Sequence, residues 1–258
     1  MTLQRFLFLA NTIAWSTLKA DSSRYFFGYF WWIIEPLLYV LVFYLVFEVL
    51  LRTGRDDFLV FLMCGKLLFI WFSKSVSLAS NSLVMNVGLL GRLDLPKPLF
   101  PFASILEGLY KQAAVFLLLF IFLLLNDISP TTKWLWLIPI LLATLLFILA
   151  LSFIGATLVC VFRDTMLLIP LGMIFLMFAS GIFWDIRDIP DPTASAMLLK
   201  LNPVAFLIDA FRAVLMYDEP PNLFHLVILL VCVSVTVGIS ALILTTNSKY
   251  LAMRVLSS

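Results

Sequence analysis

Three long runs of the sequence contain no aspartate, glutamate, lysine or arginine, and they limit the chain to a few kinds of fold. The runs cover residues 134–162, 165–184 and 220–248. About 20 helical residues cross the hydrocarbon core of a bilayer, so each run is long enough to span a membrane once. Because the runs are apolar throughout and do not alternate with period two, they indicate helices rather than strands.

The composition of the whole chain excludes several classes of protein. Apolar residues make up 63% of the 258 residues and charged residues 12%, whereas soluble domains carry about 25% charged residues. A soluble globule, a disordered chain and a nucleic-acid-binding protein are therefore excluded. We expect an all-α polytopic membrane protein.

Six membrane spans are expected, since three further apolar runs carry only isolated charges. The whole chain, residues 1–258, then forms a single transmembrane domain. The expected spans are residues 32–51, 58–80, 102–125, 134–161, 165–184 and 223–246. With the N-terminus inside, eight lysines and arginines fall in cytoplasmic segments and three in the short outer loops. Because basic residues favour the cytoplasmic side, we predict that both termini are cytoplasmic.

Two cytoplasmic segments differ from simple spans. Residues 1–30 include an amphipathic stretch over residues 3–19, which predicts a helix lying in the membrane interface. Residues 81–101 form a linker in which two glycines and three prolines prevent a continuous helix. We expect a short helix there, then an irregular stretch ending at Pro101, in a position that suits docking to a cytoplasmic partner.

The outer loop, residues 185–222, contains an apolar stretch that Pro203 divides. Asn202 is a good N-cap and Pro203 a good first helical residue, so one helix should end near Leu201 and another should begin at Pro203. The second helix is too short to cross the core. A re-entrant helical hairpin on the outer side is therefore expected, with Asp209 and Arg212 as an i,i+3 pair.

Motifs for chemistry are absent from the sequence. There is no G-x-x-x-x-G-K-[ST], so the chain does not bind ATP through a P-loop, and there is no H-E-x-x-H or G-x-S-x-G. Cys64, Cys160 and Cys232 are not spaced like metal ligands. We predict no catalytic residue, no metal site and no cofactor in this chain, which would not be an enzyme by itself.

Six charged side chains fall within the expected spans. Charges in a membrane are costly and are often functional. Glu107 and Lys111 should pair at i,i+4, and several of the others lie near span ends, where long side chains reach the interface. Structural pairing is expected, while an ion relay remains open. The six are Glu35, Glu48, Lys66, Lys74, Glu107 and Lys111.

Aromatic side chains accumulate in the first and fifth spans. Tyr39 and Phe43 share one face in mid-span. Aromatic rings with a hydroxyl suit sugar rings, which present C–H faces and hydroxyls together. Lipid or helix packing and the lining of a conduit both remain open. The candidates are Trp32, Tyr39, Phe43, Tyr44, Phe175, Phe178 and Trp184.

Three groups of residues together resemble a known family. Arg24 is followed by Gly28, Trp31 and Pro36, like a basic–G-x-x-W-x-x-x-x-P start to the first span. Phe162-Arg163-Asp164 is similar to that family's turn between the fourth and fifth spans. Leu201-Asn202-Pro203, followed by Phe211-Arg212, is similar to its outer hairpin. The chain thus resembles the membrane subunits of type-2 ABC exporters, above all bacterial exporters of O-antigen, capsule and teichoic acid.

The resemblance implies an assembly and a substrate. Two copies would form a conduit in the bacterial inner membrane, and two separate cytoplasmic ATPase subunits would hold ATP and Mg²⁺. The substrate would be a lipid-linked glycan carried on undecaprenyl diphosphate, with O-antigen expected before capsule. Residues that would contact the ATPases are Leu89, Leu90, Arg92, Asp94, Arg163 and Asp164.

Three other functions stay open at this point. The same fold could export a small lipophilic molecule. A membrane enzyme acting on lipid-linked sugars would need a clustered acid, base or metal site. A secondary transporter driven by an ion gradient would work without an ATPase and would favour broken helices with polar residues at mid-membrane.

Overall fold

The computed structural model describes residues 2–24, 26–50, 57–90 and 95–256, and within these ranges the chain is helical without a β-strand. This confirms the all-α prediction. Arg92 and Asp94 lie outside the described residues. The helices are α1 (Leu3–Arg24), α2 (Trp31–Tyr44), α3 (Phe58–Met85), α4 (Val87–Leu90), α5 (Leu99–Leu125), α6 (Leu137–Val161), α7 (Thr165–Ala179), α8 (Pro192–Leu201), α9 (Pro203–Leu215), α10 (Leu223–Thr246) and α11 (Ser248–Leu256).

Five helical segments among the described residues are long and apolar enough to cross a membrane. The first joins a 3₁₀ turn, α2 and a π-helical stretch, Leu45–Leu50. The fourth joins a 3₁₀ turn to α6. They agree with five of the six expected spans. The five segments are Gly28–Leu50, Phe58–Met85, Leu99–Leu125, Thr132–Val161 and Leu223–Thr246.

Helix α7 is shorter than the span predicted over residues 165–184. It ends at Ala179 after 15 residues, which is about 22 Å and less than the roughly 30 Å of a bilayer core. The helix stops because Gly181 has a φ of +68°, a left-handed conformation that favours glycine. A Cβ there would also lie 2.7 Å from Ile186 Cγ1. Hydropathy did not reveal this end, since residues 179–184 remain largely apolar.

Helix α3 forms the centre of the molecule. In its most apolar window 83% of the residues are buried, against 11% to 44% in the other four long segments. Helices α2, α5, α6, α7 and α9 pack around it, and α10 packs on α6. Gly108 and Gly155 bring α5 and α6 close to α3, since a Cβ at either position would meet Ser75 Oγ or Ser80 Oγ at 2.6 Å or 2.1 Å.

The outer surface of the bundle is apolar. Helix α10 exposes a stripe at helical spacing, in which Val231, Val235 and Leu242 are all more than half exposed. Polar side chains such as Gln112, Ser152 and Arg212 are buried instead. This distribution, with apolar groups outside, fits a lipid environment.

The N-terminal helix α1 lies along α5. Tyr110 Oη donates a hydrogen bond to Asn11 Oδ1 at 2.6 Å, and the rings of Phe6 and Phe102 are 5.4 Å apart. The predicted helix is confirmed and extends to Arg24. Its place in the membrane interface remains a prediction.

The linker over residues 81–101 is shorter than predicted. Helix α3 continues to Met85, the short helix α4 follows, and α5 already begins at Leu99. Pro101 therefore lies in the first turn of α5 and not in an irregular stretch. This is possible because the first N–H groups of a helix have no partner within it.

The helical hairpin in the outer loop is confirmed at its predicted boundary. Helix α8 ends at Leu201 and α9 begins at Pro203. Asn202 Oδ1 accepts hydrogen bonds from the N–H groups of Val204 and Ala205 at 3.1 and 3.2 Å, as an N-cap does. Its Nδ2 donates to Ala179 O and Ser180 Oγ, which joins the hairpin to the end of α7.

Candidate functional site

A cavity of about 560 Å³ lies between α1, α2, α3, α5 and α7. Its wall combines three indole rings, three carboxylates and two ammonium groups. Pro36 of α2 also lines it and has no N–H to donate to the carbonyl of Trp32. The aromatic and charged lining residues are Trp31, Trp32, Trp71, Asp21, Glu35, Glu107, Lys74 and Lys111.

Ion pairs connect the helices around this cavity. Lys74 Nζ is 2.7 Å from Glu35 Oε2, which joins α3 to α2. Lys111 Nζ is 2.6 Å from Glu107 Oε1 and 2.9 Å from Asp21 Oδ2, which joins α5 to α1. These pairs reduce the cost of placing charges inside the bundle.

Five of the six charges expected in spans are thereby accounted for in part or in full. The Glu107–Lys111 pair is confirmed, and Glu35 and Lys74 pair with each other. Glu48 lies in the π-helical stretch after α2 and does not line the cavity. The sequence gave no signal for Asp21 or Trp71, since Asp21 lies on a different helix from Lys111 and Trp71 is one aromatic among many.

Lys66, on α3, lies inside a cage of aromatic rings. Its Nζ is 4.5 Å from the ring centre of Phe43 and 5.8 to 5.9 Å from those of Tyr39, Phe69 and Phe183. It also donates to Met177 Sδ at 2.8 Å. Among the residues that the structure describes, no carboxylate pairs with Lys66, so the ring faces supply its electrostatic stabilisation.

Most of the aromatic candidates lie along α2, α3 and α7. Trp32 lines the cavity, 5.5 Å from Lys111 Nζ, while Tyr39 and Phe43 belong to the cage. The Phe178 ring is 5.5 Å from that of Phe183, and its carbonyl accepts a hydrogen bond from Trp184 Nε1.

Tyr44 and Phe175 lie outside these clusters. Tyr44 is half-buried against the core, and Phe175 is 71% exposed on α7. The structure thus brings five of the seven candidates into one region of the bundle. Whether they line a conduit remains a prediction.

Arg212 joins the outer hairpin to the bundle. Its guanidinium is fully buried and donates to Phe61 O of α3 and to Gly181 O and Ile182 O, which follow α7. It also stacks on the Phe61 ring at 3.4 Å. Gly65 makes room for it, since a Cβ there would lie 2.3 Å from Nη2.

The predicted Asp209–Arg212 pair is wrong. Asp209 pairs with Arg187, whose Nε is 3.2 Å from Asp209 Oδ1 and whose Nη1 is 3.0 Å from Glu219 Oε2. Arg212 instead turns into the bundle, because carbonyls of the non-helical turn after α7 need donors there. Sequence spacing along α9 could not show either partner.

A second ion pair lies at the outer surface. Lys133 Nζ is 2.9 Å from Asp218 Oδ2, and the Thr131 hydroxyl donates to Asp218 Oδ1 at 2.6 Å. The Thr131 hydrogen bond, with that of Lys133, lowers the pKa of the Asp218 carboxyl below its usual value. Likewise, hydrogen bonds from Thr193 lower the pKa of Asp191, the N-cap of α8.

The coupling candidates that the structure describes lie at the other end of the bundle. Arg163 and Asp164 form an exposed turn between α6 and α7. Leu89 is 41% exposed, whereas Leu90 is buried beside Leu83 and Phe100. Leu90 therefore anchors α4 to the bundle, and its contact with an ATPase remains a prediction.

The first-span motif forms the corner between α1 and α2. Gly28 has a φ of +51°, a conformation that glycine adopts without the strain a Cβ would cause. Trp31 begins α2 and stacks on Phe27 at 6.4 Å. Together with Pro36, these residues place the tryptophans at the mouth of the cavity.

The chain is similar to known transport proteins over most of its length. A family model described as ABC-2 type transporter matches residues 9–216. An O-antigen export system permease protein RfbA of Klebsiella pneumoniae is 27% identical over 201 residues, which cover 77% of this chain and 76% of that protein. A protein of the same name from Myxococcus xanthus is 27% identical over 205 residues, covering 80% and 79%. The chain therefore belongs to the ABC-2 type transporter family, as a multi-pass membrane subunit.

Proposed function

We propose that this chain is the permease subunit of an ATP-driven exporter that moves O-antigen across the bacterial inner membrane. The observation that carries the proposal is the match to O-antigen export permeases over about three quarters of both chains. The substrate would be a lipid-linked glycan on undecaprenyl diphosphate. Capsule export is the next possibility within the same fold.

The proposed assembly has two copies of this chain and two cytoplasmic ATPase subunits, which bind ATP and Mg²⁺. Both termini would be cytoplasmic. Helix α7, with the segment after it, would form the sixth crossing, and the α8–α9 hairpin would enter the outer leaflet without crossing. A 15-residue helix supports this only where the bilayer thins or the segment after Ala179 completes the crossing.

Transport would be driven from the cytoplasmic end. The Arg163–Asp164 turn begins α7, and α7 lines both the cavity and the Lys66 cage through Met173 and Met177. A push on this turn would therefore be carried by a rigid helix into the substrate region. The same chain of contact links α1 to the cavity through Asp21 and Lys111.

The polar lining of the cavity supports a glycan over a small lipophilic molecule. A lipophilic substrate needs an apolar pocket, whereas this wall carries five charged groups and three indoles. An enzyme or an ion-driven transporter is disfavoured by the family, whose members are ABC transporter subunits.

Co-purification from the native host tests the proposal. The tagged protein is solubilised in mild detergent, its partners are identified, and ATP hydrolysis is measured in vesicles with and without lipid-linked glycan. We expect a stoichiometric ATPase with a P-loop and hydrolysis that rises with the glycan. A protein that stays alone and still transports or modifies a substrate would overturn the proposal.

A variant in the coupling turn sharpens this test. Arg163→Leu should leave membrane insertion intact and reduce export per ATP hydrolysed. The matched control is Arg254→Leu, a basic residue on α11 that is outside the turn. Equal export per ATP in both variants and the wild type would remove Arg163 from the coupling role.

A further inference from the structure

The tryptophan-lined cavity contains a polar group that the protein leaves unpaired. Trp71 is 4% exposed and lines the cavity, and its Nε1–H has no acceptor among the described residues. Buried donors nearly always have a partner, because leaving one without an acceptor costs free energy. A ligand with an oxygen acceptor would supply the missing partner.

The indole rings indicate the shape of that ligand. Trp31 and Trp32 begin α2 on one side of the cavity, and Trp71 lies opposite on α3. Flat rings with one polar edge fit a ligand that has apolar faces and polar edges. A pyranose ring has this form, with C–H groups on its faces and hydroxyls around its edge.

The charges indicate that the ligand is neutral. The three carboxylates and two ammonium groups of the wall leave one surplus negative charge. Both ammonium groups already lie 2.6 to 2.9 Å from carboxylate oxygens. A phosphate would compete with these carboxylates for Lys74 and Lys111, whereas sugar hydroxyls would donate to the free carboxylate lone pairs.

We propose that this cavity binds a neutral saccharide unit of the transported glycan and excludes its diphosphate. This inference rests on the proposed function, since it assigns a subsite to that substrate. The volume of about 560 Å³ is within the range of small-molecule sites. The cavity would thus hold the glycan by its sugar and not by its charge.

Photo-cross-linking of the full-length protein in nanodiscs tests the proposal. The probes are pentyl glycosides of glucose, mannose, rhamnose and N-acetylglucosamine with a diazirine on the sugar, and pentyl phosphate with the same diazirine. Labelled peptides are mapped by mass spectrometry. We expect at least one glycoside, and not the phosphate, to label residues 31–36 and 70–78, and excess unlabelled glycoside to suppress that labelling.

Two variants and two controls measure the contribution of the wall. Trp71→Phe should weaken glycoside labelling about two- to tenfold, the usual effect of one lost hydrogen bond. Glu35→Gln removes the surplus negative charge and frees Lys74, so phosphate labelling should rise at least threefold while glycoside labelling falls. Trp136→Phe and Glu48→Gln, which are outside the cavity, should leave both unchanged.

Each outcome decides between the two proposals separately. Stronger labelling of the cavity by phosphate in the wild type, or no labelling of it by any glycoside, overturns the saccharide subsite even if O-antigen export in cells depends on this gene. Glycoside labelling of the cavity without any O-antigen export overturns the proposed function alone. Should Trp71→Phe fail to fold, the reversed selectivity of Glu35→Gln still decides.

Discussion

Gly65 and Arg212 form a size match that a single methyl group tests. In Gly65→Ala the new Cβ would lie 2.3 Å from Arg212 Nη2 and 2.9 Å from Cζ, so the guanidinium must move. Nη2 donates to Ile182 O at 2.9 Å, and this bond would be lost. A hydrogen bond from a charged group contributes about 1.5–3 kcal/mol.

The same substitution also has a stabilising effect, because alanine is a better helix former than glycine by about 1 kcal/mol. The difference predicts a net loss of about 0.5–2 kcal/mol in the free energy of unfolding. At about 2–4 °C per kcal/mol for chains near this size, the Tm should fall by about 1–8 °C.

The sign should reverse when the arginine is removed. In an Arg212→Met background the space next to Gly65 is no longer filled by a guanidinium, so Gly65→Ala should be neutral or should stabilise by up to about 1 kcal/mol. Gly238→Ala, on α10, is the control, since nothing lies within 4 Å of the added Cβ.

The assay is thermal unfolding of the purified protein in nanodiscs, followed by intrinsic fluorescence. The four proteins of the cycle and the control are compared at one protein concentration. If Gly65→Ala lowers the Tm equally with and without Arg212, the two residues are not coupled and the account of the buried guanidinium fails.

Three further predictions use other contacts. Asn202→Ala removes the N-cap of α9 and two bonds to the end of α7, so the Tm should fall by the equivalent of about 1–2 kcal/mol, and Asn202→Ser should recover part of it; equal values for the two variants would contradict the capping role. Gly155→Ala should destabilise α3–α6 packing by about 1–3 kcal/mol, since its Cβ would lie 2.1 Å from Ser80 Oγ, and the double variant with Ser80→Ala should restore the Tm. The lowered pKa of Asp218 means that its contacts with Thr131 and Lys133 stabilise the fold above the unfolded value of about 3.9 and are lost as pH falls below it. Amide exchange at residues 131–133 should therefore increase at acid pH in the wild type, relative to the intrinsic rate, and Asp218→Asn should abolish that dependence.

Local features of the fold could be predicted from the sequence. The boundary between α8 and α9 depends on the chemistry of two adjacent residues, Asn202 and Pro203, and the Glu107–Lys111 pair depends on spacing within one helix. Long apolar runs fixed five spans for the same reason, since burial in lipid acts on each segment independently.

Contacts between distant segments could not be predicted. Arg212 meets Phe61, and Lys111 meets Asp21, only because helices far apart in the chain pack together. Trp71 belongs to the candidate site through its place opposite α2, which no spacing rule reveals. The early end of α7 depends on the backbone conformation of one glycine within an apolar segment.

The caged Lys66 makes the bundle sensitive to the membrane potential. Its positive charge has no paired carboxylate among the described residues and lies on α3, a segment long enough to cross the bilayer. Moving one elementary charge across 100 mV changes the free energy by about 2.3 kcal/mol. A displacement of Lys66 through a third of the field would thus be worth about 0.8 kcal/mol at that voltage. Any conformational step that carries α3 along the membrane normal is therefore voltage-dependent, and an energised inner membrane favours the state in which Lys66 lies closer to the cytoplasm.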